Sequence, residues 1–273
     1  MKYLAAVVQL RTTDDPVASM ASAEVLVAEA AGRGARLVAL PEAVPFMGPE
    51  HLKRGLAQDL DGPWCAAFSQ WAETHRIHLL AGSIFERSPD GRVFNTSTLW
   101  SPEGRRLAVY RKVHLFDAEV GDGRSYKESV GTAPGDRGVV VSTSLGSLGL
   151  SICYDLRFPG MYRRMAALGA DLVFAPSAFT VPTGQLHWEV LLRARAIENQ
   201  CFMVAPAQEG AHGPKRRTWG RSLIVGPSGE LLTCRPTGVG LAYAEIDLEE
   251  RRHWAKRLPT TGHERDIPIE RLD

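Results

Sequence analysis

Three residues of the 273-residue chain could together hydrolyse an acyl compound: Glu42, Lys112 and Cys153. A thiol can attack a carbonyl-like carbon, a carboxylate can take its proton, and an ammonium can hold the developing oxyanion. Glu42 follows the apolar run Leu37 to Leu40 and Pro41. Lys112 follows Leu107 to Tyr110, and Cys153 ends the run from Leu148 to Ile152. All three therefore stand at the C-terminal ends of predicted strands, where open α/β sheets place their ligand sites. Each is a weak signal alone. Glu42 is one of 31 acidic residues, and its plain reading is a solvated carboxylate. Its functional reading is a general base whose pKa is raised by Leu40, Val44 and Phe46. Lys112 reads plainly as a surface lysine beside Arg111, although six lysines against 26 arginines make each lysine mildly informative. Cys153 opens the turn Cys153 to Pro159 before a predicted helix. The helix N-terminus and Arg157 would both favour a thiolate there. Cys65, Cys201 and Cys234 read as packing residues.

Other chemistries fit less well. Among eight histidines, His114 and His187 are the best placed for a Cys–His pair, but no peptidase signature surrounds Cys153. No cysteine pair has CxxC spacing, and His75 with His78 lacks further zinc ligands. Gly32-Arg33-Gly34 precedes a strand instead of following one, so it is no phosphate loop. No metal or organic cofactor is expected.

The elements that must carry these residues can be read from patterning. Apolar β-rich runs fall at 3–10, 36–40, 77–85, 93–100, 107–110, 138–142, 148–153, 171–176, 202–207, 219–225 and 239–246. Continuous runs such as Leu172 to Ala175 imply strands covered on both faces. Asp15-Pro16 predicts a helix start, with Met20, Ala23, Val27 and Ala30 on one stripe and Gly32 or Gly34 as its end. Further helices are predicted over 63–76, 160–168 and 185–199, and after Asp247. In 185–199 the apolar stripe is Leu186, Val190, Ala194 and Ile197. Residues 226–229 read as a hairpin turn and 117–138 as a long functional loop. Helices between pairs of strands suggest a layered α/β sandwich over a doubly wound sheet.

Composition narrows the function classes. Lys and Arg total 32 and Asp and Glu 31, a net charge of +1, which argues against a generic polyanion binder. Lys215-Arg216-Arg217 reads as a solvated loop, so no nucleic acid is expected. No run approaches a membrane span, the N-terminus reads as a first strand, and four sparse cysteines suit a reducing compartment. A cytoplasmic enzyme is the expectation.

The segments Leu40-Pro41-Glu42, Tyr110 to Asp117 and Gly149 to Pro159 resemble, in order and spacing, three signature blocks of the nitrilase (carbon–nitrogen hydrolase) superfamily. The resemblance extends through Pro176 to Phe179 and His187 to Glu198, over nearly the whole chain. It implies one domain, 1–273, folded as a four-layer αββα sandwich. It also implies a homodimer through the helical face that contains the post-cysteine helix, forming an eight-layer sandwich. Glu42 is then the general base, Lys112 the oxyanion stabiliser, Cys153 the nucleophile and Glu128 a second carboxylate. The Cys153 to Pro159 block, Thr183-Gly184 before His187, and Ala205 to Gln208 are similar to the Nit-type amidase branch, nearest to amidases of deaminated glutathione or ω-amides. That branch implies Arg157 and Thr183 on a substrate carboxylate, Phe179 as a pocket wall and Tyr154 near the oxyanion. The product would be an acid and ammonia. Other branches (N-carbamoyl amino acid hydrolase, nitrilase, aliphatic amidase) and a non-catalytic binding protein are the alternatives. Arg221 stands where the branch usually has histidine, Gly226-Pro227 replaces Asp-Pro, and the tail after Gly262 is short.

Overall fold

Alternation along the first strand explains why a continuous apolar run is needed. In a computed structural model of the protein, which describes residues 1–121, 123, 125–213 and 216–272, Tyr3, Ala5 and Val7 enter the core between two sheets. Ala6, Val8 and Leu10 enter a second core beneath helices. Neither face meets water, so neither face is polar.

The strands are β1 (Lys2–Gln9), β2 (Leu37–Ala39), β3 (His78–Leu80), β4 (Ile84–Arg87), β5 (Val93–Trp100), β6 (Arg106–Arg111), β7 (Asp117–Glu119), β8 (Ser125–Lys127), β9 (Val139–Thr143), β10 (Gly146–Leu150), β11 (Leu172–Phe174), β12 (Phe202–Ala205), β13 (Glu209–His212), β14 (Arg216–Trp219), β15 (Ser222–Val225), β16 (Leu231–Arg235) and β17 (Gly240–Asp247). The helices are α1 (Pro16–Gly32), α2 (Lys53–Leu56), α3 (Pro63–His75), α4 (Glu128–Gly131), α5 (Pro159–Ala167), α6 (Val181–Asn199), α7 (Leu248–Arg257) and α8 (Thr260–His263). One sheet runs β17-β1-β2-β3-β5-β4, with β6 also on β5, and the other runs β16-β15-β12-β11-β10-β9. The centre of each is parallel: β1, β2 and β3 in the first, β10, β11 and β12 in the second. The margins are antiparallel, with β17 on β1 and β15 on β12. Helices α1 and α3 cover the first sheet through Ala23, Val27, Phe68 and Trp71. Helices α5 and α6 cover the second through Tyr162, Met165, Trp188 and Leu192. The architecture is the expected four-layer αββα sandwich.

The helix signals act locally as anticipated. Asp15 caps α1 by accepting from the Val17 and Ala18 N–H groups at 2.9 and 3.1 Å, and Asp247 caps α7 through Glu249 N–H at 3.0 Å. Four details differ from the sequence reading. The run 77–85 is two strands, because Gly82 turns the chain at φ +57° with its α-carbon so close to Pro41 that a Cβ would lie 1.9 Å from the Pro41 carbonyl oxygen. Only glycine lets that turn seat the Leu40-Pro41-Glu42 segment. The run 219–225 is likewise broken, at Gly220 and Arg221, both with positive φ. The long loop 117–138 contains the β7–β8 ribbon and α4. On α6, the stripe Leu186, Val190 and Ile197 faces out, while Trp188, Leu192 and Ala196 are buried. Both stripes repeat at helical spacing, and the larger rings and the second sheet select the latter. Helix α6 also lies against β14 at Gly184, where a Cβ would come 2.2 Å from the Cβ of Trp219.

Candidate active site

Glu42, Lys112 and Cys153 do converge, each just past the end of a strand: β2, β6 and β10. The first two strands belong to one sheet and the third to the other, so the site spans the seam between them. Glu128 joins from α4. The Lys112 ammonium is buried and donates to Glu42 Oε1 at 3.0 Å and to Glu128 Oε2 at 2.9 Å. Burial opposes its charge, but the carboxylates of Glu128 and Glu42 outweigh that effect and hold its pKa well above the usual value. Burial also works against the Glu128 carboxylate. Lys112 and the Phe116 N–H, which donates to Glu128 Oε2 at 2.7 Å, outweigh it and hold the pKa below the usual range. The Glu42 carboxylate meets Lys112 and Asn95 Nδ2, the latter at 2.8 Å. Its direct partners are thus polar, and not the apolar side chains expected from its sequence neighbours.

Cys153 begins a short 3-10 turn, Cys153–Arg157, and has a positive φ of 49°. Its N–H donates to the Pro176 carbonyl at 3.0 Å. The left-handed conformation reverses the chain at the thiol and is held by surrounding bonds. The expectation of a thiolate fails. Burial, reinforced by the nearby Glu42 carboxylate, pushes the Cys153 thiol pKa up, against the opposing effects of Lys112 and a hydrogen bond with the Ala178 N–H. The short turn and Arg157 do not reverse this. Burial and the Glu42 carboxylate thus favour the protonated form of Cys153.

These groups line a cavity of about 500 Å³. Tyr154, Arg157, Phe179 and Thr183 line it as well, so the substrate-binding set read from the sequence is brought to the same place. The Arg157 guanidinium lies over the rings of Tyr154 and Phe179, at 5.9 and 5.3 Å from their centroids. It also contacts His187 Nδ1 at 3.3 Å. Thr183 is held by the Thr180 hydroxyl at 2.9 Å. Arg221 pairs with Glu189 at 2.8 Å and presents its carbonyl to the Trp188 indole, so the residue that departs from the branch pattern braces α6 outside the cavity lining. Arg216 lines the cavity instead of lying in a solvated loop, Arg217 is exposed, and Lys215 lies outside the described residues. Cys65 and Cys201 are buried and Cys234 is half-buried, away from the cavity lining. Among the described residues no group of three or more His, Cys, Asp or Glu is arranged to hold a metal ion.

The sequence reading assigned no role to three residues that position the site. Asp155, fully buried, accepts from Ile152 N–H (2.8 Å), the Tyr110 hydroxyl (2.6 Å), His114 N–H (3.0 Å) and contacts His114 Nδ1 (2.7 Å). It ties the turn before Cys153 to the strand end on both sides of Lys112. Asn95 offers its amide nitrogen to both carboxylates, Glu42 at 2.8 Å and Glu128 at 3.5 Å. Gln208 donates to the Glu42 carbonyl at 2.9 Å and exchanges bonds with Thr12. Asp155 stands two residues after Cys153, so its place in the turn was a usable signal. Asn95 and Gln208 offered none.

The family profile for carbon–nitrogen hydrolases matches residues 4–256. A protein of Synechocystis sp. named deaminated glutathione amidase is 41% identical over 265 residues, 96% of this chain and 97% of that one. The crystal structure of the C. elegans NitFhit protein superimposes with a TM-score of 0.91 at 36% identity, covering 97% of this chain and 65% of that one. The amidase from Nesterenkonia sp. AN1, in a structure showing Michael addition of acrylamide at its active-site cysteine, superimposes with a TM-score of 0.79 at 26% identity, over 93% of this chain and 98% of that one. The chain belongs to the carbon–nitrogen hydrolase family, and its fold and site make it a nitrilase-superfamily enzyme.

Two predictions arise from this geometry. Asp155→Ala leaves the Ile152 N–H and Tyr110 hydroxyl without their acceptor. In urea melts it should lower stability by about 3 kcal/mol or more, and a loss under about 1 kcal/mol would refute its role as the tie. His212, held by the Thr12 carbonyl and the Thr218 hydroxyl at 2.7 Å each, has its pKa lowered to about 4, chiefly by burial and further by Arg216 and Arg11, against the Thr12 bond. The unfolded chain therefore binds this proton first. The His212 contribution is complete above the unfolded value of about 6.5 and is lost as pH falls toward 4, by roughly 3 kcal/mol in all. The difference in stability between wild type and His212→Gln should shrink across that window; a difference independent of pH counts against it.

Proposed function

We propose that the enzyme is an amidase that cleaves a linear amide of a small carboxylate-bearing acid through a thioester on Cys153, with deaminated glutathione as the leading substrate. The observation that carries this is the convergence of Cys153, Glu42 and Lys112 on one cavity, with the Lys112 ammonium 3.0 Å from Glu42 Oε1 and the Cys153 thiol pKa held up by burial and by Glu42. Glu42 takes the thiol proton as sulfur attacks the amide carbon. The negative charge then moves to the substrate oxygen, where Lys112 and the Tyr154 N–H receive it. Collapse of the intermediate breaks the C–N bond, and the proton on Glu42 leaves with the amine. Glu42 next deprotonates water, which attacks the thioester; collapse releases the acid and returns the proton to sulfur. Glu128 holds Lys112 in place throughout.

Arg157 and Thr183 hold the carboxylate of the acyl part, with Phe179 as the wall, in this reading. A guanidinium fork matches a carboxylate in shape and charge. The substrate choice is supported by the relative named deaminated glutathione amidase at 41% identity. Deaminated glutathione is a secondary amide, so its leaving group is the amine of cysteinylglycine. Ammonia is the product only for a primary ω-amide such as α-ketoglutaramate. One catalytic domain, acting in the cytoplasm, completes the proposal, and the absence of disulfides among the four cysteines supports a reducing compartment. Among the described residues no helix is long and apolar enough to cross a membrane. The exposed side chains of Leu168, just past α5, and of Leu186, Val190 and Ile197 on α6 support a homodimer through this face.

Purified enzyme given deaminated glutathione should release cysteinylglycine, measured as new primary amine, and Cys153→Ala should lower that rate by about 10⁴-fold or more. Release that survives the substitution rules out the thioester. Val190→Glu should shift the species in light scattering from dimer to monomer; an unchanged mass would remove the α5–α6 face as the interface.

A further inference from the structure

The cavity wall carries cations that the mechanism does not use. Lys53 comes from α2 and Arg216 from β14, and both line the cavity. They share one carboxylate, Glu50, at 2.6 and 3.8 Å. The burial of the three is unequal. The Lys53 side chain is 15% exposed and that of Arg216 29%, whereas Glu50 is 69% exposed. The anion sits in water, where screening weakens its hold, and the cations lie deeper than their counter-ion. The Nε of Arg216 is buried and has no hydrogen-bond partner among the described residues. A buried guanidinium N–H left this way is costly unless a ligand completes it. Both charges are felt inside the cavity: Lys53 helps hold the Glu128 carboxylate down, and Arg216 helps keep His212 neutral. The Lys53 ammonium also lies over the Phe85 ring at 5.1 Å, a contact that takes none of its N–H groups beyond the one given to Glu50. Asp14, exposed, is the other anion of this rim, and Lys127, also exposed, is a further cation.

The two cationic poles are separate. Arg157 and Thr183 also border a second, neighbouring cavity with Leu186 and His187, whereas Lys53 and Arg216 do not. A short primary amide would use only the Arg157 pole, and a cavity of about 500 Å³ accommodates a longer molecule. We propose that Lys53 and Arg216 form a second anion subsite, which takes a carboxylate on the leaving-amine side of the scissile bond. The preferred substrates are then N-acyl amino acids or N-acyl dipeptides with a carboxylate at each end. This rests on the reading above only in assigning Arg157 to the acyl side.

The test uses occupancy of the cavity rather than turnover. N-acetyl-alanylglycine and its C-terminal amide are compared as protectors of Cys153 against iodoacetamide, followed by mass spectrometry. In the wild type the acid should protect at roughly ten-fold lower concentration than the amide. Arg216→Gln and Lys53→Gln should each bring the ratio toward one. Equal protection by acid and amide in the wild type overturns the proposal, and so does a preference that survives both substitutions. Equal protection in the wild type overturns the proposal even if a variant fails to fold. A clear acid preference in an enzyme that does not cleave deaminated glutathione would overturn the substrate reading above and leave the subsite standing.

Discussion

A buried ammonium held between two carboxylates is the constraint around which this molecule is arranged. Removing three charges from water is costly, and their attraction offsets that cost only when each remaining donor and acceptor is placed. The structure meets the requirement with long-range parts. Asn95 comes from β5, the Phe116 N–H from the approach to a ribbon, and Gln208 from beyond the second sheet, holding the backbone of Glu42. Cys153 follows a strand of one sheet, and Glu42 and Lys112 follow strands of the other. The packing between the sheets, from Tyr3 and Val7 across to Leu148 and Phe174, therefore fixes the spacing of the reacting groups as well as the stability of the chain.

The convergence of the candidate groups was legible in the sequence because strand ends are legible. A continuous apolar run marks a buried strand, and the residue just beyond it must emerge at one edge. Glu42, Lys112 and Cys153 needed only that rule, and the block resemblance supplied Glu128. The residues that hold them were not legible. Asn95 lies inside a strand otherwise read as apolar, and its role depends on two carboxylates, 53 and 33 positions away. Asp155 was read as part of a motif, yet its work is to join Ile152 to Tyr110 and His114, a contact that only the folded sandwich creates.

Two local inferences failed for a common reason. The thiolate expectation weighed Cys153 against the turn that follows it, but burial and Glu42 dominate its environment. The stripe on α6 was chosen from periodicity, but Trp188, Leu192 and Ala196 form a second stripe at the same spacing. Periodicity fixes that a face is apolar and leaves open which face meets the sheet. The near-zero net charge is uninformative in the same way, since Arg157, Lys53 and Arg216 concentrate positive charge where a global sum cannot show it.

The contact of Gly184 with Trp219 has a wider meaning. Helix α6 carries Thr183 and the β13–β14 ribbon carries Arg216, so two walls of the cavity meet where a single added carbon would not fit. With no slack there, the two walls move as one body. A relative of this enzyme that handles a longer or shorter molecule cannot gain the room by sliding one wall past the other. It must change parts of the lining outside that lock, such as the rim at 47–53 or the segment 125–128, and that is where divergence in substrate length should be written.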